Sequence, residues 1–344
     1  MARWGLGLLL IIAFPAVGQE KFDTTYIKSY KDKFFVWPVA KRRELSFVLQ
    51  APSSGSTKVE FKPNNAYGLG LGVYVFDVGL EFVFPMSIGQ EQESLFGTTR
   101  ATDLQLNILS RHWGGDIVYQ RYKGYYLSNP QPPLQPDQPH PQRPDIVTEN
   151  LGINGIYAFN SKHYSLRSAF TFADRQLKSA GGFVLAAAYN QYQIDGDSAI
   201  LNPYYQAYLG QNQSFNALNF HTYALAAGYG HNFVVKSTFF VTLLLALGPA
   251  LEDFRFRDSG GALHINTTVD AYADFRAAIG YNNDRFFTAI TLSRQARNVT
   301  FEDVRFSSVT TTGRILFGWR FKEKGFLTKS VWDLLPPWGK KHSD

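Results

Sequence analysis

The chain has 344 residues, 45% of them hydrophobic and 16% aromatic, a net charge of +6 and no cysteine. Beyond its first eighteen residues the most apolar run, Phe239 to Leu251, is broken by Gly248 and Pro249 and falls short of the ~20 residues of a spanning helix, which excludes a helical membrane protein. The modest charge, with Lys41-Arg42-Arg43 read as a solvated turn, gives no footing for nucleic-acid binding.

Residues 1–18 read as a secretory signal peptide. Arg3 is the positive start, Gly7 to Phe14 the short apolar stretch, and Ala16-Val17-Gly18 the small-residue cleavage site before Gln19. No cysteine follows that site, which excludes a lipoprotein. Residues 19–43 are expected to form a periplasmic N-terminal segment, 44–321 a barrel, and 322–344 a periplasmic tail.

From there two-residue alternation recurs. Leu45, Phe47 and Leu49 open it, and Leu69, Leu71 and Val73 alternate with glycines. Leu80, Phe82 and Phe84 follow, then Leu104, Leu106 and Ile108, then Leu151, Ile153 and Tyr157. Leu166, Phe170 and Phe172 suggest a further strand. Later come Phe183 to Tyr189, Tyr223 to Tyr229, Phe239 to Leu247, Ile265 to Tyr281 and Ile315 to Phe321. In each, the larger apolar set is expected to face lipid, with polar or small residues inside. Leu243 is then outward, and Thr242 inward with some room. The stretch 116–126 has polar residues on both faces and takes no orientation from the pattern.

Strands are expected at 44–50, 66–75, 78–85, 102–110, 115–126, 149–159, 163–173, 181–193, 218–230, 237–249, 264–281, 285–296 and 308–321. That set is odd, and a barrel with both ends on one side needs an even one. Adding 198–206, entered through Asp195-Gly196-Asp197, gives about fourteen; Pro203 argues against a strand there and leaves about twelve as the alternative. Tight turns at 77–79, 160–162 and 282–284 alternate with longer loops, as short periplasmic turns alternate with external loops. The proline-rich segment 128–145 is expected to be an exposed, poorly ordered external loop.

The fold class is therefore all-β: a transmembrane antiparallel up-and-down β-barrel in the bacterial outer membrane. Its partners would be outer-membrane lipid and, through the last strand 314–321, the barrel-assembly machinery. The pattern leaves the oligomeric state open. No zinc-protease helix, phosphate loop or Gly-x-Ser-x-Gly elbow is present, and no cofactor or metal site is expected. Gly68, Gly70 and Gly72 fit lumen-facing positions of a strand rather than a nucleotide loop. His221, near a strand end, is the single candidate for a barrel hydrolase acting on lipid. The inward charges Glu81, Asp103, Arg167, Asp270, Asp274, Arg276, Arg314 and Arg320 would either select solutes or pair to fill the barrel. Their balanced signs favour pairing. The readings left are a narrow solute pore or a structural surface protein, with a lipid-acting enzyme or a hydrophobic-substrate channel as alternatives.

Several stretches resemble one family. Tyr157-Ala158-Phe159-Asn160, His163-Tyr164-Ser165 and Arg175 to Gly181 carry the likeness, with Tyr26-Ile27, Tyr30 to Lys33, Tyr119 to Gly124 and Gly228 to Asn232. The pattern is similar to a Bacteroidetes family of outer-membrane barrel proteins catalogued only as a domain of unknown function. The resemblance implies the barrel class over most of 22–321 and brings no site residues.

Overall fold

The computed structural model describes residues 22–322 apart from 31–32, 52–56, 66, 76–77, 211–214, 259 and 302–303. The expected signal segment and the tail beyond Lys322 fall outside them. In chain order the elements are β1 (Ile27–Ser29), β2 (Lys33–Gln50), β3 (Lys58–Lys62), β4 (Gly68–Val75), β5 (Val78–Pro85), α1 (Gln90–Phe96), β6 (Arg100–Leu109), β7 (Trp113–Leu127), β8 (Gln142–Ala158), α2 (Arg167–Phe170), β9 (Asp174–Gln176), β10 (Ala180–Asp195), α3 (Pro203–Leu209), β11 (Phe215–Val235), β12 (Phe239–Asp258), β13 (Leu263–Asn282), β14 (Phe286–Phe301) and β15 (Val304–Lys322).

Twelve of the described strands close a ring: β2, β4 to β8, and β10 to β15, all antiparallel, with β15 pairing back onto β2. The barrel wall begins at Lys33 rather than at 44. Two of the fourteen expected strands are absent from the wall, which leaves the even number of twelve given as the alternative. Residues 198–206 instead lead into α3. Asn202 caps it by accepting from the Tyr205 amide at 3.0 Å, Pro203 occupies its first turn, and Gly210 ends it in the left-handed region. Residues 163–173, expected as a strand after a tight turn at 160–162, leave the wall and fold into the barrel. They carry α2 and lead to β9, which pairs with β1.

Small residues make room for that plug. The inward face of β10 to β12 is Ala186, Ala188, Ala224, Ala226 and Ala246, all buried against Tyr164 and Leu166. At Gly230 a Cβ would overlap the Tyr164 hydroxyl. Asn232 on β11 donates to Ser165 O (3.2 Å) and Ser168 Oγ (3.0 Å), and Asn282 on β13 donates to Ser168 O and Asp174 O, both 3.2 Å. The alternation of Leu166, Phe170 and Phe172 therefore records packing inside a lumen, not a lipid face.

The amphipathic sense of the strands reverses along their length. On β12, Leu243, Leu245, Leu247 and Leu251 point outward and are exposed, while Leu244 and Ala246 are buried inside. Further on, Arg255 and Arg257 face out, and Phe254 and Phe256 are buried inside. A tilted strand crosses the hydrocarbon in about 9–11 residues; β12 has 20 and β11 has 21. The surplus forms a dome beyond the apolar belt, where water lies outside and the apolar side chains turn in. Leu45, Phe47 and Leu49 belong to the dome and are fully buried, the opposite of the lipid-facing expectation. The reversal also orients 116–126: Ile117 and Tyr119 face out in the belt, Arg121 and Lys123 face out beyond it, and Asp116, Val118, Gln120 and Tyr122 face in.

β3 narrows the dome. It pairs with β2 at 47–50 and with β7 at 126–127, taking the place that β4 to β6 hold lower down. Between its two partners β2 is braced by side chains. The Arg43 carbonyl accepts from Asn65 Nδ2 (2.9 Å) and the Tyr122 hydroxyl (3.3 Å), and the Leu45 carbonyl accepts from the Tyr125 hydroxyl (3.1 Å). The proline-rich loop is anchored too: Ser128 donates to the Glu60 carbonyl, Gln131 N to the Tyr205 hydroxyl, and His140 N to the Leu95 carbonyl.

Candidate functional site, the closed lumen

At the dome end the lumen is filled. Leu45, Phe47, Phe61, Tyr192, Phe220 and Phe306 form part of one continuous buried apolar cluster, which α3 joins through Tyr205 and Leu209. Phe47 stacks between Phe61 and Phe306 at 4.8 and 5.6 Å. This is a soluble-type core of interlocked rings.

At the opposite end the plug is locked by charge. Asp174, fully buried, accepts from Ser165 Oγ (2.7 Å), Arg167 Nη2 (3.0 Å) and Arg111 Nε (3.1 Å). Burial alone would raise its carboxyl, but the Arg167 and Arg111 guanidiniums hold it well below the usual carboxylate range. A second tether sits on the β13–β14 turn. Asp284 accepts from Lys28 Nζ (2.8 Å), the Tyr30 hydroxyl (2.8 Å) and Arg175 Nη1 (3.0 Å), joining β1 and β9 to the wall. Partial burial works against its ionised form, yet these donors lower its carboxyl to about 2.

Between the closures lies a cavity of about 120 Å³ with polar and charged walls. Three carboxylate clusters surround it. Glu81 on β5 accepts from Trp37 Nε1 (3.2 Å), Lys41 Nζ (3.1 Å) and Arg314 Nη1 (3.0 Å). Asp103 on β6 accepts from Arg43 and from the Tyr122 hydroxyl (2.9 Å). Arg276 on β13 pairs with Asp274 at 2.9 Å and Asp116 at 3.6 Å. Gly72 opposite Trp37 leaves the slot its ring fills, since a Cβ there would overlap it.

Five of the eight expected inward charges, Glu81, Asp103, Asp274, Arg276 and Arg314, thus meet around this cavity. Asp270 lies higher and clamps the β14–β15 tip through Thr300 Oγ1 (2.8 Å) and Arg305 Nη2 (2.9 Å). Arg167 sits on α2 in the plug rather than on a wall strand. Arg320 supports the plug: it donates to the Phe172 carbonyl (2.6 Å) and Asn282 Oδ1 (2.7 Å) and stacks on Tyr30 at 4.0 Å.

Lys41, Arg43, Asp116, Arg111 and Asp174 are the residues that sequence reasoning missed. Lys41-Arg42-Arg43 is no solvated turn: it lies on β2, with Lys41 and Arg43 turned inward on Glu81 and Asp103 and Arg42 turned outward over the Tyr67 ring. The available signal was parity, since 41 and 43 share the face of Val39 and Leu45. His221 faces outward at the rim of the belt, where its Nδ1 and the Tyr189 hydroxyl lie 3.1 Å apart; its cross-strand neighbours are Gln191 and Asp253. Among the described residues, no group of three metal-ligating side chains is assembled.

A family model described as "Domain of unknown function (DUF4421)" matches residues 21–321. The chain belongs to that family. No curated protein matches it at the sequence level. Among solved structures it is similar to the outer-membrane protease OmpT of Escherichia coli, at 8% identity over 86% of this chain and 98% of that one, with a TM-score of 0.39. It is also similar to the translocator domain of the autotransporter NalP of Neisseria meningitidis, at 10% identity, 87% and 90% coverage and a TM-score of 0.31. A third is an outer membrane channel of Pseudomonas putida F1, at 10% identity, 88% and 100% coverage and a TM-score of 0.24. These likenesses concern the barrel fold; no activity is carried across them.

Proposed function

We propose that this protein is an outer-membrane barrel with a sealed lumen, serving a structural or ligand-holding role rather than forming an open solute pore. The observation that carries the reading is the double closure, an apolar dome core at one end and the Asp174-locked plug at the other. The wall suits a bilayer, with exposed Leu243, Leu245, Ile290 and Ile315 in its belt and Trp319, Phe321 and Phe239 near one edge. In this reading the long-loop dome lies outside the cell, and the plug with β1 faces the periplasm. The carboxylate clusters fit a filled interior, because each carboxylate meets a cation and buried charges persist only when paired. Among the described residues His221 meets the Tyr189 hydroxyl rather than a serine, which weighs against a Ser–His hydrolase.

Planar-bilayer recording of the purified protein tests the proposal. The intact barrel should be silent at moderate voltage, migrating on gels as a heat-modifiable species. Stable step conductance from the unmodified protein would replace the sealed barrel by a pore.

A further inference from the structure

The wall is not continuous. Among the described residues, β5 and β6 pair only at Val78–Ile108 and Gly79–Asn107. Beyond those rungs β5 runs on to Pro85 and β6 comes back from Arg100, each fully paired on its other side, to β4 and β7. Their facing edges exchange no ladder bonds above Gly79 and Asn107. The result is a window in the side of the barrel. It is framed below by the last two rungs and above by the α1 loop, which Asn64 fastens by donating to Gln92 O (3.2 Å) and Gly97 O (2.7 Å).

Two surroundings meet at this window. Outside it, Phe82, Phe84, Leu104 and Leu106 are exposed, as on the rest of the apolar belt. Inside it, Gly79 and Glu81 of β5 and Gln105 and Asn107 of β6 line the charged cavity. Bare backbone edges facing hydrocarbon are costly and call for hydrogen-bonding groups to meet them. The cavity also holds unanswered acceptors. Asn154, 94% buried, donates through Nδ2 to Asp116 (2.7 Å), but its Oδ1 has no partner among the described residues. The Thr310 hydroxyl, lining the same cavity, has none either. The cations that line the cavity, Arg43, Arg276 and Arg314, by contrast each meet a carboxylate.

We propose that the β5–β6 window is a binding site for a single membrane amphiphile, with its acyl chain in the belt outside and a hydrogen-bond-donating head, hydroxyl or ammonium, in the cavity behind Glu81 and Asn154. The chain lies against Phe82, Phe84, Leu104 and Leu106, where apolar contact costs no desolvation of charge. The head gives hydrogen bonds to Asn154 Oδ1, Thr310 Oγ1 and the bare strand carbonyls. Its size is limited to a few heavy atoms by a cavity of about 120 Å³. The head needs no net charge, because the ionic groups of the cavity are matched. This deepens the sealed-barrel reading and rests on it.

The test uses the full mature chain, delipidated in detergent. Native mass spectrometry and calorimetry follow binding of 1-oleoylglycerol (hydroxyl head), oleylamine (ammonium head) and methyl oleate (no donor). At least one donor-bearing probe should form a saturable one-to-one complex at least tenfold tighter than methyl oleate, and which one does so tells hydroxyl from ammonium. Thr310→Val removes only an unanswered hydroxyl and should weaken binding about fivefold. Gln105→Trp, filling the window mouth, should abolish it. Equal binding of methyl oleate, or binding untouched by both variants in folded barrels, overturns the proposal. So does a second copy of the chain in place of the lipid adduct. Heat-modifiable migration and silence in the bilayer are read on the same samples. A folded, silent barrel that binds no amphiphile defeats the window alone, whereas a conducting one defeats the sealed-barrel reading.

Discussion

Replacing Asp174 by alanine tests the plug directly. The carboxylate is wholly buried and is shared by Arg111, Arg167 and Ser165 at 3.1, 3.0 and 2.7 Å. Its loss leaves two guanidiniums buried beside each other without their common counter-charge. Breaking one side of a buried ion pair costs about 3–5 kcal/mol. The penalty falls on the plug rather than the wall, because Asp174 pairs with Ser29 in the β1–β9 ladder and takes no part in the ladder of the barrel wall. The Asn232, Asn282 and Arg320 bonds to the plug backbone remain, so the plug should open transiently rather than be lost. A penalty of that size raises the open fraction by roughly two to four orders of magnitude. Limited proteolysis should cut the 159–179 segment faster in Asp174→Ala than in the parent, with heat-modifiable migration unchanged and the barrel still silent in a planar bilayer, because the dome core stays filled. Ser165→Ala, which removes one hydrogen bond worth about 1 kcal/mol, should change little. An Asp174→Ala protein whose 159–179 segment resists protease as the parent does would refute the assignment of Asp174 as the lock.

Other expected outcomes follow from the same geometry. Leu243→Arg places a charge on the lipid face and should cost ~2–4 kcal/mol near the midplane, read by urea unfolding in vesicles. Thr242→Arg should be at least as damaging, because Thr242 is buried and donates to Asn232 Oδ1 at 2.6 Å; the inward room expected for it is taken by the plug. A milder effect at Thr242 would put the plug elsewhere. Phe47→Ala should cost about 3–5 kcal/mol in the dome while leaving membrane insertion intact, checked by unfolding together with heat-modifiable migration. Acid should loosen the N-terminal tether. Asp284 has a folded pKa lowered from 3.8 to about 2, so its contribution is complete above 3.8 and is lost as pH falls toward 2. The group is half-exposed, which limits the effect to under about 1 kcal/mol. Proteolytic release of residues 22–30 should rise across that window in the parent, and Asp284→Asn should show the higher release already at pH 7.

The barrel was legible because lipid imposes alternation over long strands: β11 to β15 all carry it. The pattern could not say which side is lipid. The expectation that the larger residues face outward holds for Leu243 and Leu245, where hydrocarbon surrounds the strand. It reverses for Leu45, Phe47 and Leu49, where water does. The sequence marks that change with Arg255 and Arg257 on the outward face of β12, four and six residues beyond Leu251. The plug escaped because its apolar residues, Leu166 and Phe172, serve an interior just as a strand face would. What betrays it is the run of alanines on the facing strands, too small to fill a lumen alone. The cavity charges were partly legible through parity. Their partners Lys41 and Arg43 were not, since a basic triplet on a strand looks like one in a turn until β2 is extended back to Lys33.

The dome and the window have a common origin. Twelve strands circle the belt, yet at the dome β3 alone joins β2 to β7 in place of β4, β5 and β6. Those three strands must end below it, and two of them have only 8 residues where their neighbours run to 15 or more. Above the window the approaches to β4 and β6 are joined, Asn64 N donating to Thr99 Oγ1 at 2.8 Å, while Asn65 is tied to Arg43 of β2 and Thr99 donates to the Gly124 carbonyl of β7. Between that joint and the two rungs at 78–79 and 107–108, β5 and β6 are each paired on one side only, so the slack collects between them. The window is thus set by the dome, while the plug is held by Asp174 at the other end. The two should respond separately. Asp174→Ala should expose the plug to protease without altering amphiphile affinity by more than about twofold, and Gln105→Trp should abolish amphiphile binding without exposing the plug. Joint loss of both properties in either variant would mean that plug and window are one device, and that the seam is held open from below.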